Sequence, residues 1–284
     1  MPRRAENTAL SRFVLALCEA AGAAILPHFR NLPGIDNKLE GGFDPVTEGD
    51  RAAERAIRAM IEATYPDDGI LGEEYGPKPS RSGRVWVLDP IDGTRAFVCG
   101  LPTWMTLIGL IEEEKAVIGA AHQAFVGETF LGNAEGAFAY RNGKRVARLR
   151  AAEGGTLAQA RCGTTGPARY SAGSKGRIYA ALRSQVREFR HDADAYFFAM
   201  VAAGQMEIAI DTGLQTYDIA ALIPIITGAG GCVTNWGGGS ALGGGDVVAS
   251  AGPALHETVL AMLADYLDGD ADSAPMKASN AAQN

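Results

Sequence analysis

The segment Val85 to Thr94 constrains this chain more than any other. Four apolar residues, Val85-Trp86-Val87-Leu88, run directly into Asp89-Pro90-Ile91-Asp92-Gly93-Thr94. The apolar run predicts a short strand, so two carboxylates stand at a strand's end. Pro90 restricts the backbone and removes a donor, while Gly93 permits a tight turn. Asp89 and Asp92 can then be aimed into one small volume, where a hard cation could bridge them. A bare surface turn uses the same vocabulary of Pro, Asp and Gly. Further acidic clusters shift the balance: Gly72-Glu73-Glu74 follows the strand-like Ile70-Leu71, Tyr217-Asp218 begins a helical stretch, and Asp44-Pro45-Val46-Thr47-Glu48-Gly49-Asp50 precedes another.

Many carboxylates and only four histidines, His28, His122, His191 and His256, point to oxygen ligation. Mg²⁺ prefers oxygen, whereas zinc favours sulfur or imidazole. No histidine forms an H-x-x-H or H-E-x-x-H pair, and packing, surface or supporting roles suit all four. Cys18, Cys99, Cys162 and Cys232 are scattered without a C-x-x-C pair, so they read as reduced thiols, packing or incidental rather than catalytic. Asp89 bridging two Mg²⁺ ions ~3.5–4 Å apart would suit in-line displacement at phosphorus. Other phosphate chemistries fail on spacing. Asp89 and Asp92 are not D-x-D, Cys162 and Arg169 have six residues between them rather than five, and no Walker loop or strand-linked G-x-G-x-x-G occurs. The glycine runs at 237–239 and 243–245 read as loops.

Apolar residues at Leu10, Phe13, Val14, Leu17, Ala21, Ile25 and Phe29 predict an amphipathic helix over Asn7–Phe29. Thr47, three residues before Asp50, resembles a capping box with a shorter acid and predicts a second helix from there to Tyr65-Pro66. Strands are predicted at 70–72, 85–88, 105–111 and 116–121, and Asn142-Gly143 predicts a hairpin turn between 137–140 and 145–147. Residues 151–156 form the boundary between two lobes, 1–150 and 151–267. The second lobe alternates helical and strand-like segments at 193–203, 207–210, 219–227, 231–235 and 246–250, closed by a helix over 253–267, so a sheet covered by helices is expected. The polar tail 268–284 reads as disordered. A length of 284 residues, 47% of them hydrophobic, suits two lobes with a cleft between them. A net charge of −7 argues against nucleic-acid and anionic-membrane partners. No apolar run approaches the ~20 residues of a membrane span and no signal peptide is legible, so a cytoplasmic location is expected.

Taken in order, Asp44-Pro45-Val46-Thr47-x-x-Asp50, Gly72-Glu73-Glu74, Asp89-Pro90-Ile91-Asp92-Gly93-Thr94 and Tyr217-Asp218-x-Ala220-Ala221 with Gly228-Ala229-Gly230-Gly231 resemble the inositol monophosphatase superfamily across residues 10–265. The resemblance implies an α/β layered αβαβα sandwich of two fused lobes, commonly a homodimer. It implies metal ligation by Glu73, Asp89, the Ile91 carbonyl, Asp92 and Asp218, with two or three Mg²⁺ ions for which Mn²⁺ can substitute. Thr94, backed by Asp50 and Thr47, resembles the positions that orient the attacking water. Phosphate is expected against the Gly93 and Thr94 amides, at the start of the following helix. The implied reaction is attack by a water activated at the metal and polarised by Glu73 and Thr94, with no covalent phosphoenzyme.

Within that superfamily, Asp92-Gly93-Thr94-Arg95-Ala96-Phe97 followed by Gly100-Leu101-Pro102 looks like the histidinol-phosphatase branch. The passages Ala193–Phe198 and Asp211–Pro224 resemble it as well. The ammonium and imidazole of L-histidinol phosphate would suit Asp194 and Asp211, although Asp194 fits a helix cap equally. An inositol-1-phosphate or broad sugar-phosphate phosphatase is the enzymatic alternative. A catalytically silent phosphate-binding regulatory protein is the alternative of another class, against which the complete set Glu73, Asp89, Asp92, Thr94 and Asp218 argues.

Overall fold

The computed structural model describes residues 2–31, 36–37, 45–170 and 173–268. Asp44 and the tail from residue 269 onward lie outside the described residues. In chain order the elements are α1 (Pro2–Ile25), β1 (Asp36–Asn37), β2 (Pro45–Val46), α2 (Glu48–Thr64), β3 (Gly69–Gly72), β4 (Gly76–Lys78), β5 (Arg84–Asp92), α3 (Thr94–Val98), β6 (Met105–Glu112), β7 (Lys115–Gln123), β8 (Glu128–Asn133), β9 (Gly136–Arg141) and β10 (Lys144–Arg148). The second half adds β11 (Arg161–Thr164), α4 (Gly173–Gln185), β12 (Glu188–His191), α5 (Asp194–Ala202), β13 (Ile208–Leu214), α6 (Thr216–Ile219), α7 (Leu222–Gly228), β14 (Cys232–Asn235), β15 (Gly245–Ser250) and α8 (Pro253–Asp268).

Eight strands form one sheet in the order β10-β9-β8-β7-β6-β5-β3-β4, antiparallel throughout except where β3 lies parallel to β5. A five-stranded mixed sheet has the order β12-β11-β13-β15-β14. Because successive residues of a strand face opposite ways, each sheet divides its apolar residues between two cores. Ile108, Leu110, Ile118 and Leu131 pack beneath α1 and α2, while Leu107, Ala121 and Phe130 turn to the other side and meet α5 and α7. Ala209, Val247 and Ala249 of the smaller sheet join that same central core, and Ile208, Ile210 and Val248 face outward to α4 and α8. The layers therefore run α-β-α-β-α, as the resemblance implies.

Three glycines bring the central helices close to the large sheet. Gly109, Gly119 and Gly132 stand opposite one another on β6, β7 and β8. A β-carbon on any of them would crowd the backbone of residues 220–225, severely at Gly119 and Gly132. The α6–α7 junction beds into this stripe, which fixes where Asp218 can stand.

The opening helix ends sooner than its periodicity predicts, at Ile25 rather than Phe29. Pro27 has no N–H to continue the ladder and disfavours helical geometry in Leu26, so the chain goes on in hydrogen-bonded turns. By length and composition alone, Thr8–Ile25 is apolar enough to cross a membrane, contrary to the expectation from sequence. Its place in the fold accounts for that apolarity, since Val14, Leu17, Ala21 and Ile25 are fully buried in the first core. The helix expected over 219–227 divides into α6 and α7. Pro224 lacks the N–H that a continuous helix would direct to the Ala220 carbonyl, and it is tolerated in the first turn of a new one. The Asn142-Gly143 turn occurs as predicted, both residues having positive φ (50° and 72°), between β9 and β10.

Candidate active site

Parallel pairing of β3 with β5 sets Gly72 beside Leu88, so both strands end at one edge and Glu73 emerges next to Asp89. The Glu73 amide donates to the Leu88 carbonyl at 3.2 Å. In a regular strand Asp89 and Asp92 would face opposite ways, being three residues apart. The register instead slips between Asp89, opposite Leu107, and Asp92, opposite Met105. That bulge adds a residue at Pro90-Ile91 and restores the shared direction of the two carboxylates. The Thr106 hydroxyl secures it by donating to the Pro90 carbonyl at 2.7 Å.

Asp218 arrives from the other side, in the first turn of α6, where its carboxylate accepts the Gln215 amide at 2.7 Å. One oxygen each from Asp89, Asp92 and Asp218 lie within 4.8 Å of one another. Asp92 also accepts the Ala195 amide at 2.7 Å, which ties the cluster to the start of α5. Asp89 is 2% exposed, and its buried Oδ1 meets no hydrogen-bond donor. Burial, reinforced by Glu73, Asp92 and Asp218, pushes the Asp89 carboxyl well above the usual carboxylate range. Burial, then Asp194 and Asp218, does the same to Asp92, and burial lifts Asp218 to about 7. An orphaned buried oxygen among crowded carboxylates, with no imidazole nearby, fits an oxygen-seeking divalent cation, which would supply the missing positive charge.

The cluster forms one wall of a cavity of about 640 Å³ that Glu73, Ile91, Gly93 and Thr94 also line. Gly93 takes the left-handed conformation, φ 83°, to turn β5 into α3. The Thr94 hydroxyl donates to the Ile91 carbonyl at 3.0 Å. Thr47 and Asp50 are brought together but do not line the cavity. Asp50 accepts from the Thr47 amide at 2.8 Å and hydroxyl at 2.6 Å, closing the capping box of α2. Burial raises its carboxyl to about 7.

Asp194 and Asp211 line the same cavity, Asp194 close beside Gly93 and Asp92. Asp194 does not cap α5, whose N-cap is Ala193 without a side-chain bond. It accepts instead from the Thr165 hydroxyl at 2.8 Å. Asp211, 1% exposed, accepts from the Thr165 and Thr212 amides, and the single proton of the Thr165 hydroxyl is shared between it and Asp194. Burial pushes both carboxyls up. Thr165 and Arg169, which also line the cavity, escape sequence reading because neither belongs to a recognisable motif. Arg169 donates to the Thr212 carbonyl at 3.1 Å, which holds it at the cavity. Cys99, read from sequence as packing or incidental, is exposed and lines the cavity, whereas none of the four histidines does.

A profile of the Inositol monophosphatase family matches residues 6–268. The chloroplastic bifunctional phosphatase IMPL2 of Arabidopsis thaliana is 35% identical over 84% of this chain and 68% of its own length. A histidinol-phosphatase of Chlorobaculum parvum is 33% identical over 89% of this chain and 95% of its own. A solved inositol monophosphatase from Zymomonas mobilis superposes with a TM-score of 0.78 at 33% identity, covering 89% of this chain and 96% of that one. Matched along nearly its whole described length and built on the same layers, the chain belongs to the inositol monophosphatase family and is a phosphatase.

Proposed function

We propose that this phosphatase hydrolyses L-histidinol phosphate in a Mg²⁺-dependent reaction. The observation that carries the substrate reading is the second pair of carboxylates, Asp194 and Asp211, which line the same cavity as the acidic cluster and leave room for more than phosphate. A substrate that carries cationic groups beside its phosphate would satisfy both sets of carboxylates. The histidinol-phosphatase of C. parvum supports this reading. The inositol monophosphatase of Z. mobilis, equally similar, supports a second in which the alcohol is a neutral polyol.

In this reading Glu73, Asp89, Asp92, Asp218 and the Ile91 carbonyl would hold the cations, which when bound would supply Lewis acidity toward a water and toward the leaving oxygen. Glu73 would accept a proton from that water. The Thr94 hydroxyl spends its proton on the Ile91 carbonyl and so keeps its oxygen as an acceptor to orient the nucleophile. The Gly93 and Thr94 amides hold the phosphoryl oxygens. Thr47 and Asp50 act from behind, fixing the start of α2. Asp194 meets the ammonium or imidazolium directly, and Asp211, its oxygens engaged by Thr165 and Thr212, acts through the charge it adds and through Thr165.

Phosphate release from histidinol phosphate and from inositol 1-phosphate tests this. Asp194→Asn is expected to lower kcat/KM for the cationic ester by about ten- to a hundredfold, the worth of one desolvated charged contact. The loss on the neutral ester should be far smaller, and Asp211→Asn should follow in the same direction. Equal losses on both esters would reject the cationic substrate while leaving the phosphatase chemistry intact.

A further inference from the structure

The turn that carries Glu73 is gripped from beneath by α2. Glu54 is completely buried, and its carboxylate accepts the Glu74 amide at 2.8 Å on one oxygen and the Tyr75 amide at 3.2 Å on the other. The second oxygen also accepts Nε of Arg58, one helical turn onward, at 2.7 Å. Arg58 in turn donates through Nη2 to the Gly76 carbonyl. Two side chains of one helix face therefore hold three successive backbone positions immediately after Glu73, while the Glu73 amide is held from the other side by the Leu88 carbonyl. Gly72 belongs to the same device. A β-carbon there would overlap the Glu54 carboxylate and meet the Arg58 guanidinium. The glycine ahead of the two glutamates is thus required by the clamp beneath it.

We infer that Glu54 and Arg58 are positioning residues for Glu73, setting cation affinity through the backbone of the turn that carries it. The inference rests on the reading of Glu73 as a metal ligand. The chemistry calls for a carboxylate, because three N–H donors converge on two oxygens that must both accept. Glutamine would turn its NH₂ toward donors, and aspartate would fall a methylene short. Groups that orient a metal ligand typically change metal affinity by about 10–100-fold when lost. A residue that served only to pack the helix would change stability without changing affinity.

Full-length protein freed of metal would be titrated with Mn²⁺ by electron paramagnetic resonance, and Mg²⁺ activation of phosphate release followed, both well below the melting temperature. Glu54→Gln is expected to raise the Mn²⁺ Kd and the half-activating Mg²⁺ concentration by about tenfold or more, with a smaller fall in kcat at saturating Mg²⁺. Arg58→Gln, which alters a side chain 15% exposed, gives the same comparison should Glu54→Gln fold poorly. Ile61→Ala, in the buried face of the same helix, should lower the melting temperature and leave both constants unchanged. Constants within twofold of wild type in Glu54→Gln and Arg58→Gln, or an equal shift in Ile61→Ala, would overturn the inference. Glu73→Gln is the reference arm. Should it bind Mn²⁺ normally, the ligand assignment itself falls and the clamp has nothing to position, whereas a loss there without one at Glu54 rejects the clamp alone.

Discussion

Asp89 is the residue on which folding and function disagree most. Its carboxylate is buried among Glu73, Asp92 and Asp218, and one of its oxygens has no donor. Such an arrangement opposes ionisation in the cation-free protein and favours the charged form only where positive charge is present. Asp89→Asn is therefore expected to abolish metal-dependent phosphate release while making the metal-stripped protein more stable, by about 0.5–2 kcal/mol. Denaturant melts in chelator measure the second effect, and a less stable variant would contradict it. This residue was legible in sequence because an apolar strand, a proline and a glycine leave few directions for the acids between them. Thr165 was not, since its partners Asp194 and Asp211 lie 29 and 46 residues away and only the tertiary fold brings them to one hydroxyl.

Among the elements, those with a local cause read most faithfully. The α2 cap and the β9–β10 turn depend on neighbouring residues, and both formed where Thr47, Asp50, Asn142 and Gly143 place them. The break between α6 and α7 has a local cause in Pro224, but the apolar run around it masks the interruption. The bulge in β5 is less legible still, because it is defined by register against β6 rather than by β5 alone. The glycine stripe belongs to this class: Gly109, Gly119 and Gly132 are unremarkable in sequence and align only when three strands pair. Gly119→Ala would force a methyl group against the Ala221 carbonyl. Its expected cost is about 1–3 kcal/mol in overpacking, together with weaker cation binding because the junction carrying Asp218 must move. Urea melts read the first effect and Mn²⁺ titration the second. A variant as stable as wild type would show that the junction does not depend on the stripe.

Across the whole molecule, the five layers were expected from resemblance, whereas the partition of each strand's residues between two cores needed the sheets themselves. Proton linkage acts at this scale. Burial raises Asp50 and Asp218 to about 7 and displaces Asp89, Asp92, Asp194 and Asp211 in the same direction. Between the ordinary carboxylate value near about 4 and these raised values, the folded chain binds more protons than the unfolded one. These groups therefore make cation-free stability fall as pH rises through that window. His122, buried and lowered to about 4, opposes the trend, but it lies outside the cavity and cancels when the same protein is compared with and without Mg²⁺. Cation binding needs the carboxylates deprotonated. The rise in melting temperature on adding Mg²⁺ is accordingly expected to grow from about pH 5 to about pH 8. Scanning calorimetry checks this, and a constant or shrinking rise would count against a cation held by these groups. The acids that meet in the cavity are spread along the chain from Glu73 to Asp218, and the last stands on α6, whose junction with α7 beds on the large sheet. A cation held there would tie the end of β5 to α6, so losing it is expected to speed the rate at which the native chain comes apart.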